Sequence, residues 1–276
     1  MYIYYNDNLT EEAFIAASSQ GFQYGRGVFE TLLFEKGHTY FLEEHCERLQ
    51  KSLEKLGLRH IIDLDELYRK AAVLGQKNKM EQGRLKLMCF KDTAEASLLM
   101  TLTPYEPDRQ QQEKGVRLNI STIKRNPYSP LTYIKSMNYA DNILAREEAQ
   151  TKGFHEALLL NVYNKLCEGA MSNLFWIKDH IVYTPDVSCG LLEGIVRKKV
   201  IDLVQSLGIR LEEGSYELTE LLTADEVFIT NSLIGIIPVA GIEDTNFELE
   251  SFTHREVLQK EYKNLMKQDF GKRTGA

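Results

Sequence analysis

Lys135 is the first residue of this chain whose type and setting suggest covalent chemistry. It stands in the apolar and hydroxyl-bearing segment Leu131–Met137, immediately before a predicted helix. Desolvation in such a setting lowers the pKa of a lysine and frees its amine to attack a carbonyl carbon. The alternative is an ordinary lysine near a helix start, whose ammonium group reaches water. Lys135 is therefore a candidate Schiff-base nucleophile.

Glu168 is the second such residue. It is followed by small residues and precedes the apolar run Leu174–Trp176. This setting is compatible with burial, and a buried carboxylate requires a partner. A protonated pyridine nitrogen is one suitable partner. The alternative is an exposed turn residue after Asn164-Lys165.

Three further segments have features of phosphate binding. Gly194 precedes a predicted helix, whose first backbone N–H groups lie at the positive end of the helix dipole. Asn231 and Ser232 follow a predicted strand and offer a hydroxyl group and backbone amides. Arg48 is a candidate charged clamp for a phosphate group. Alternatively, Arg48 is a surface residue paired with Glu44 one helical turn earlier.

The composition argues against several other classes of protein. A formal net charge of −7 disfavours nucleic-acid binding, and no apolar run approaches the length of a membrane span. The N-terminus does not have the pattern of a signal peptide. The four cysteines form no CxxC pair and the six histidines have no metal-ligand spacing. We therefore expect a cytoplasmic protein that binds a small molecule, without a metal, nucleic acid or membrane.

The hydrophobic pattern predicts strands and helices in both halves of the chain. The first half has the predicted strand Val28–Phe34 and helix Glu43–Leu56, and Gly21–Gly27 is predicted to be a glycine-rich loop. The polar segment Pro104–Gln112, with two prolines, is the predicted linker. The sequence therefore predicts an α/β (α+β) fold with a small domain at residues 1–110 and a larger α/β domain at residues 111–276.

The end of the chain carries a separate prediction. Its apolar pattern predicts a last helix over about Ser251–Met266. The remaining tail, Lys267–Ala276, is polar and is predicted to fray.

Together and in this order, the segments above resemble the class IV aminotransferase family, the fold-type IV pyridoxal-phosphate enzymes. The resemblance extends over nearly the whole chain and rests on Gly21–Glu30, His45–Leu49, Ile134–Asn138, Glu168–Phe175, Gly194–Arg197 and Ala224–Ile229. It implies two α/β domains with pyridoxal 5′-phosphate in the cleft between them, a small-molecule substrate and a homodimer.

The resemblance also implies roles for individual residues. Lys135 matches the lysine that binds the cofactor covalently and then carries protons. Glu168 matches the acid that hydrogen-bonds the pyridine nitrogen and keeps it protonated. The other implied cofactor contacts are Arg48, Leu192, Gly194, Ile195, Val196, Asn231 and Ser232.

Within the family, Leu174–Trp176, Val182–Asp186 and Thr230–Val239 are most similar to the aminodeoxychorismate lyases. This similarity implies conversion of 4-amino-4-deoxychorismate to 4-aminobenzoate and pyruvate, in folate biosynthesis. The alternative is an aminotransferase acting on D-amino acids or branched-chain amino acids. A more remote alternative is a non-catalytic homologue.

Two departures from the family pattern concern the substrate. Arg26 replaces the acid of a Gly-Asp-Gly loop, and the segment Phe90–Ala94 lacks an Arg-Gly-rich loop that helps many relatives bind a substrate carboxylate. We therefore hypothesise that Arg26 or Lys91 takes over that role. The predicted substrate-facing residues are Tyr24, Arg26, Phe29, Thr31 and Lys91.

Overall fold

The computed structural model describes residues 1–249 and 253–274, which form two compact units. Unit 1 comprises Met1–Pro107, Ile134–Asn138 and Met266–Ala276, and unit 2 comprises Asp108–Tyr133 and Tyr139–Leu265. Each unit combines a β-sheet with helices, which confirms the predicted α/β class. The predicted domain division after residue 110 stays a prediction.

Unit 1 contains one antiparallel sheet of six strands, in the order β2-β1-β6-β5-β3-β4. Its strands are β1 (Ile3–Tyr5), β2 (Asn8–Thr10), β3 (Gly27–Glu35), β4 (His38–Thr39), β5 (Gln82–Lys91) and β6 (Ala96–Pro104), and its first three helices are α1 (Gln20–Tyr24), α2 (Leu42–Lys55) and α3 (Leu64–Asn78).

One face of this sheet forms the core of unit 1. Leu32 of β3 and Leu87 of β5 belong to one buried cluster with Leu49 of α2 and Leu74 of α3. Successive side chains of a strand point to opposite faces of the sheet. The residues that alternate with this core set therefore lie on the other face, away from α2 and α3.

The short segment Ile134–Asn138 extends this sheet beside the start of β3. The N–H of Phe29 donates to the carbonyl of Lys135 at 2.8 Å, and the N–H of Met137 donates to the carbonyl of Gly27 at 2.9 Å. The bridge is antiparallel, with Val28 opposite Ser136. Lys135 is therefore directly opposite Phe29, and the two side chains share one face of the sheet.

Unit 2 contains a mixed sheet in the order β12-β11-β10-β13-β14-β7-β8-β9, with β15 paired to β14. Strand β7 is parallel to both of its neighbours, β14 and β8. The elements are α4 (Arg109–Lys114), β7 (Val116–Ile120), α5 (Ala140–Thr151), β8 (Glu156–Leu160), β9 (Leu166–Gly169), β10 (Asn173–Lys178), β11 (Ile181–Pro185), α6 (Ile195–Ser206), β12 (Leu211–Gly214), α7 (Leu218–Leu222), β13 (Glu226–Asn231), β14 (Gly235–Ile242) and β15 (Thr245–Asn246).

Two elements near the predicted site differ from the sequence prediction. The segment predicted as a glycine-rich loop includes the five-residue helix α1, which ends at Gly25 with a φ of 62°. A left-handed residue of this kind is a common way to end a helix, and glycine adopts it without strain. Strand β9 was not predicted, although all four of its residues are buried. It is only four residues long and has no alternating pattern, so its strand conformation depends on pairing with β8.

The last helix, α8 (Thr253–Thr274), shows that the prediction of a frayed tail from Lys267 was wrong. The predicted helix start at Ser251 lies outside the described residues. Asp269 holds the end of α8 in unit 1: its Oδ2 accepts the N–H of Phe41 at 2.9 Å and lies 3.0 Å from Nε2 of His38. The ring of Phe270 packs edge-on against His38, with centroids 5.2 Å apart.

Asp269→Ala should lower the free energy of unfolding by about 1–3 kcal/mol, because it leaves the N–H of Phe41 without this acceptor. Phe41 is 5% exposed and has a left-handed backbone with a φ of 54°, so it depends on outside support. Urea unfolding of the purified protein measures the loss. The exposed neighbour Gln268→Ala is the control and should change little. Equal stability of the two variants would refute the anchoring role of Asp269.

Candidate active site

Lys135 is half-buried and lies against an aromatic ring. Its Nζ is 4.5 Å from the ring centroid of Phe29. The neighbours Ile134 and Ser136 are buried, so they fix the backbone on both sides of the lysine. The structure therefore presents the amine from a well-anchored segment, on the face of the sheet away from α2 and α3.

A second lysine, Lys86, lies over the same ring. Its Nζ is 4.6 Å from the Phe29 centroid, so the two ammonium nitrogens are no more than about 9 Å apart. Lys86 is directly opposite Thr31 and therefore shares the Lys135 face. Burial, and then the charge of Arg84, lower the pKa of Lys86. The sequence analysis did not select Lys86, because a lysine on an alternating strand also fits a solvent-facing position.

Glu30, in β3, is the buried centre of an ionic cluster between this strand and helix α2. It is fully buried and accepts two hydrogen bonds from Arg48, from Nε at 2.8 Å and from Nη2 at 2.6 Å. Nδ1 of His45 lies 2.6 Å from the same carboxylate. Burial alone would raise the pKa of Glu30, but the charges of Arg48 and His45 lower it from its ordinary 4.5 to about 2. Glu30 thus positions Arg48, the predicted phosphate clamp, with a bidentate ion pair.

In unit 2, Glu168 is 4% exposed and lies in β9, opposite Leu159, rather than in an exposed turn. Its Oε1 accepts Nη2 of Arg125 at 2.7 Å. Its Oε2 accepts the N–H of Leu192 at 3.1 Å and Nδ2 of Asn173 at 3.4 Å. Burial opposes the charge of Arg125, but the attraction of Glu168 outweighs it and raises the pKa of Arg125. The arginine remains charged and compensates the buried carboxylate.

The start of α6 lies close to the Glu168 cluster. Asn173 also donates to the carbonyl of Leu192 at 2.8 Å. A Cβ at Gly194 would lie only 2.0 Å from Oδ1 of Asn173, so a larger residue here would force the Asn173 side chain to move. Gly194 is the N-cap of α6 and supplies no side-chain cap. The first-turn N–H groups of Ile195 and Val196 therefore have no side-chain acceptor at the N-cap, which is the usual state of an anion-binding helix start.

The side chain of Asn231 shapes its own loop. Its Oδ1 accepts the N–H groups of Leu233 and Ile234 at 2.9 and 3.0 Å, and its Nδ2 donates to the carbonyl of Met171 at 3.1 Å. Ser232 follows in this fixed loop and is half-buried. The predicted contribution of Asn231 to cofactor binding is therefore through the backbone that it orders.

Thr230, just before this loop, has a buried hydroxyl group without a hydrogen-bond partner among the described residues. It lies directly opposite Asn173 in the pairing of β10 with β13. A buried hydroxyl normally has a partner, so its position beside Asn173 suits a ligand that accepts or donates a hydrogen bond there.

The predicted substrate-facing residues fall into two groups. Phe29 and Thr31 lie on the Lys135 face of the unit 1 sheet. Arg26 and Lys91 lie on the opposite face, because they alternate with Phe29 and Met88 along their strands. Tyr24 lies in α1 and is largely exposed. The structure therefore places Arg26 and Lys91 on the face of the sheet that does not carry Lys135, and their role in binding a substrate carboxylate stays a prediction.

Several residues of the site were missed by the sequence analysis. Glu30 had a signal, since a single charge in the apolar strand Val28–Phe34 requires a buried partner. Arg125 had none, because it precedes an irregular segment and contacts Glu168 only through the fold. Within the described residues no group of three or more His, Cys, Asp or Glu side chains could hold a metal ion, and none of the described helices is long and apolar enough to cross a membrane.

Known proteins resemble this chain over nearly its full length. Residues 27–242 match the family described as amino-transferase class IV. The aminodeoxychorismate lyase of Bacillus subtilis (strain 168) is 30% identical, with 98% of each chain covered. The D-alanine aminotransferase of Bacillus licheniformis is 32% identical, with 88% of this chain and 89% of that protein covered. A solved structure of the T.th. branched-chain amino acid aminotransferase with pyridoxamine 5′-phosphate has a TM-score of 0.84 and 25% identity, and covers 97% of this chain and 94% of that one.

The fold and these matches define a two-unit α/β enzyme of the pyridoxal-phosphate-dependent kind. The chain belongs to the class IV aminotransferase family. The predicted family and the predicted enzyme class are both confirmed.

Glu30→Gln should make the free energy of unfolding less sensitive to a fall in pH below 4.5. The folded-state pKa of Glu30 lies below its ordinary value, so ionised Glu30 stabilises the protein above pH 4.5 and this stabilisation is lost as the pH falls towards 2. The free energy of unfolding of the parent protein should therefore fall by about 1–2 kcal/mol more than that of the variant between pH 4.5 and 3. Urea unfolding at the two pH values measures this difference.

The matched control is Glu47→Gln, which removes an exposed carboxylate from helix α2 and should keep the parent pH dependence. If Glu30→Gln and the parent protein lose the same free energy over this range, the ionised state of Glu30 does not contribute as described.

Proposed function

We propose that the protein is an aminodeoxychorismate lyase that uses pyridoxal 5′-phosphate to convert 4-amino-4-deoxychorismate to 4-aminobenzoate and pyruvate. The observation that carries this proposal is Lys86, a second cation beside Lys135 on the Phe29 face. The substrate carries two carboxylates, one on the ring and one on the enolpyruvyl group. A half-buried lysine close to the reacting amine suits one of them. The Bacillus subtilis lyase, similar over 98% of both chains, supports the same activity.

The residues of unit 2 fit the cofactor. The N–H groups of Ile195 and Val196, at an α6 start without a side-chain cap, would hold its phosphate group. Ser232 and the buried hydroxyl of Thr230 add further donors. Leu192 would pack against the ring, and its backbone is fixed by Glu168 and Asn173. When bound, pyridoxal phosphate supplies a ring that accepts the electrons left behind when a C–H bond at the amine-bearing carbon breaks.

Glu168 would accept a hydrogen bond from the protonated pyridine nitrogen. Arg125 donates to Oε1 of this carboxylate and favours its ionised form. The proton would therefore stay on the pyridine nitrogen, held by the negative charge of Glu168, and would not move to the carboxylate. Arg125 is therefore a positioning residue, which acts on the cofactor through Glu168. In unit 1, Glu30 holds Arg48 by a bidentate ion pair, and Arg48 would bind the phosphate group.

Lys135 would move the proton of the reaction. Its amine takes the proton from the amine-bearing ring carbon and later delivers it to the methylene carbon of the departing enolpyruvyl group. The ether C–O bond breaks, pyruvate leaves and the ring becomes aromatic. No water, oxidant or reductant is consumed, so the step requires only a base that can return its proton. The lyase would act in the cytoplasm, in folate biosynthesis, as a homodimer of the kind implied by the family resemblance.

A second candidate is an aminotransferase acting on D-amino acids or branched-chain amino acids. It is favoured by the 32% identity to the Bacillus licheniformis D-alanine aminotransferase. Lys135 would then return the proton to the cofactor rather than to a leaving group. The two candidates require the same cofactor contacts, so only the substrate separates them.

Turnover of aminodeoxychorismate by the purified holoenzyme tests the proposal directly. We expect pyruvate and 4-aminobenzoate in equal amounts, and little change of the cofactor spectrum with D-alanine or L-leucine. Lys135→Ala should abolish turnover, whereas Lys124→Ala, an exposed lysine, should retain it. Rapid conversion of the cofactor by an amino acid without pyruvate release would favour the aminotransferase. Full turnover by Lys135→Ala would refute the assignment of Lys135 as the catalytic lysine.

Lys86→Ala should raise the KM for aminodeoxychorismate by about 10–100-fold, as expected for loss of one charge-assisted contact of roughly 1.5–3 kcal/mol. The conservative variant Lys86→Arg should recover part of the affinity. Lys77→Ala is the matched control, because Lys77 also lies over an aromatic ring, 6.0 Å from the centroid of Tyr2. An unchanged KM in Lys86→Ala would show that Lys86 does not bind the substrate.

A further inference from the structure

Glu156 is a buried carboxylate of unit 2 that forms no ion pair within the described residues. It is 6% exposed and lies in β8, opposite Leu118 of β7. Burial raises the pKa of Glu156, although its hydrogen bonds and the charge of Arg146 act in the other direction. The protein therefore retains a carboxylate at a position where an uncharged side chain would cost less to bury.

Three hydrogen bonds hold the Glu156 carboxylate. Its Oε1 accepts the N–H of Ala157 at 2.9 Å. Its Oε2 accepts the N–H of Met171 at 3.1 Å and the hydroxyl of Ser172 at 3.3 Å. An amide in the same place would offer one acceptor oxygen and would point its NH₂ group at a donor. The need for two acceptor oxygens thus explains why a carboxylate stands here.

Glu156 holds the turn between β9 and β10, which runs from Gly169 to Ser172. The N–H of Gly169 donates to the carbonyl of Ser172 at 2.7 Å, and a Cβ at Gly169 would lie 2.2 Å from the Ser172 hydroxyl oxygen. Glu168 immediately precedes this turn and Asn173 immediately follows it, with Nδ2 of Asn173 3.4 Å from Oε2 of Glu168. The turn therefore sets the position of the Glu168 carboxylate.

The same turn also supports the Asn231 loop. The carbonyl of Met171 accepts Nδ2 of Asn231 at 3.1 Å, while the N–H of Met171 is held by Glu156. Oδ1 of Asn231 accepts two backbone N–H groups of the loop that carries Ser232. One buried carboxylate is therefore connected to both ends of the proposed cofactor site, the acid for the ring nitrogen and the loop for the phosphate group.

We propose that Glu156 is a positioning residue for pyridoxal 5′-phosphate, which acts through the turn between β9 and β10 on Glu168 and on the loop that carries Ser232. It would act without touching the cofactor. Residues that contact a ligand keep a productive geometry only when the groups behind them are themselves held by hydrogen bonds. The inference rests on the proposed cofactor, but not on the choice between lyase and aminotransferase.

Binding of pyridoxine 5′-phosphate to the cofactor-free full chain tests this role. The probe has the ring and the phosphate group but no aldehyde, so its affinity does not include bond formation with Lys135. Glu156→Gln should raise the Kd of the probe about tenfold or more, because the amide cannot accept from all three donors. Ser172→Ala removes one of these donors and should raise the Kd about threefold. The two effects should not add in the double variant, since both act through one hydrogen bond.

Leu221→Ala is the matched control for a loss of stability alone. Leu221 is fully buried in helix α7, so its truncation destabilises unit 2 without removing a hydrogen bond of the site. Urea unfolding compares the stability of the two variants, and Leu221→Ala should keep the parent Kd. The visible circular dichroism of the holoenzyme reports how firmly the cofactor ring is held. At saturating cofactor it should fall in Glu156→Gln and stay unchanged in Leu221→Ala.

A parent Kd in Glu156→Gln would overturn the proposal and leave the proposed function intact. An equal rise of the Kd in Glu156→Gln and Leu221→Ala would also overturn it, since Glu156 would then support only the fold. If Glu156→Gln does not fold, Ser172→Ala decides, and a parent Kd in that variant overturns the proposal. A parent protein that binds neither the probe nor pyridoxal 5′-phosphate would refute the proposed function together with this inference.

Discussion

A buried carboxylate must be compensated, and this constraint organises both units of the protein. Glu30 in unit 1 and Glu168 in unit 2 are almost inaccessible to water, and each is held by an arginine. Removing a carboxylate from water costs several kcal/mol, and only a close cation with well-directed hydrogen bonds offsets this cost. Each ion pair therefore fixes the elements on which its members lie: β3 to α2 in one case, and β9 to the segment before residue 126 in the other. The orientations of Arg48 and of the Glu168 carboxylate follow from these pairs.

The alternation of side chains along β3 and β5 then determines which residues share a face with Lys135. The antiparallel bridge between Val28 and Ser136 places Lys135 opposite Phe29. Thr31 and Lys86 follow on the same face, while the cations at Arg26 and Lys91 fall on the other. A shift of this pairing by one residue would exchange the two sets. Which cation shares a face with Lys135 is thus set by the register of the sheet and not by the closeness of residues in the sequence.

The sequence predicted the fold class, the family and most strands and helices, because their hydrophobic periods are strong and local. It also predicted the burial of Glu168 and the glycine at the start of α6. It could not predict Arg125, whose contact with Glu168 joins residues far apart in the chain. It did not reveal that Arg26 and Lys91 lie on the face opposite to Lys135, because the face on which a residue at a strand end lies depends on the register of the sheet. The tail was predicted to fray because its polar composition does not reveal that Asp269 accepts the N–H of Phe41.

The lyase and aminotransferase reactions begin with the same proton removal, so the residues around Glu168 and the start of α6 cannot distinguish them. What distinguishes the substrates is the number and position of their carboxylates. A free amino acid brings one carboxylate next to the reacting amine, whereas aminodeoxychorismate brings two, one on its ring and one on the enolpyruvyl group. Lys86 and Lys135 share one face of the sheet, and their ammonium nitrogens lie 4.6 and 4.5 Å from the centroid of the Phe29 ring. A second cation close to the reacting amine suits the additional carboxylate of aminodeoxychorismate, which favours the lyase.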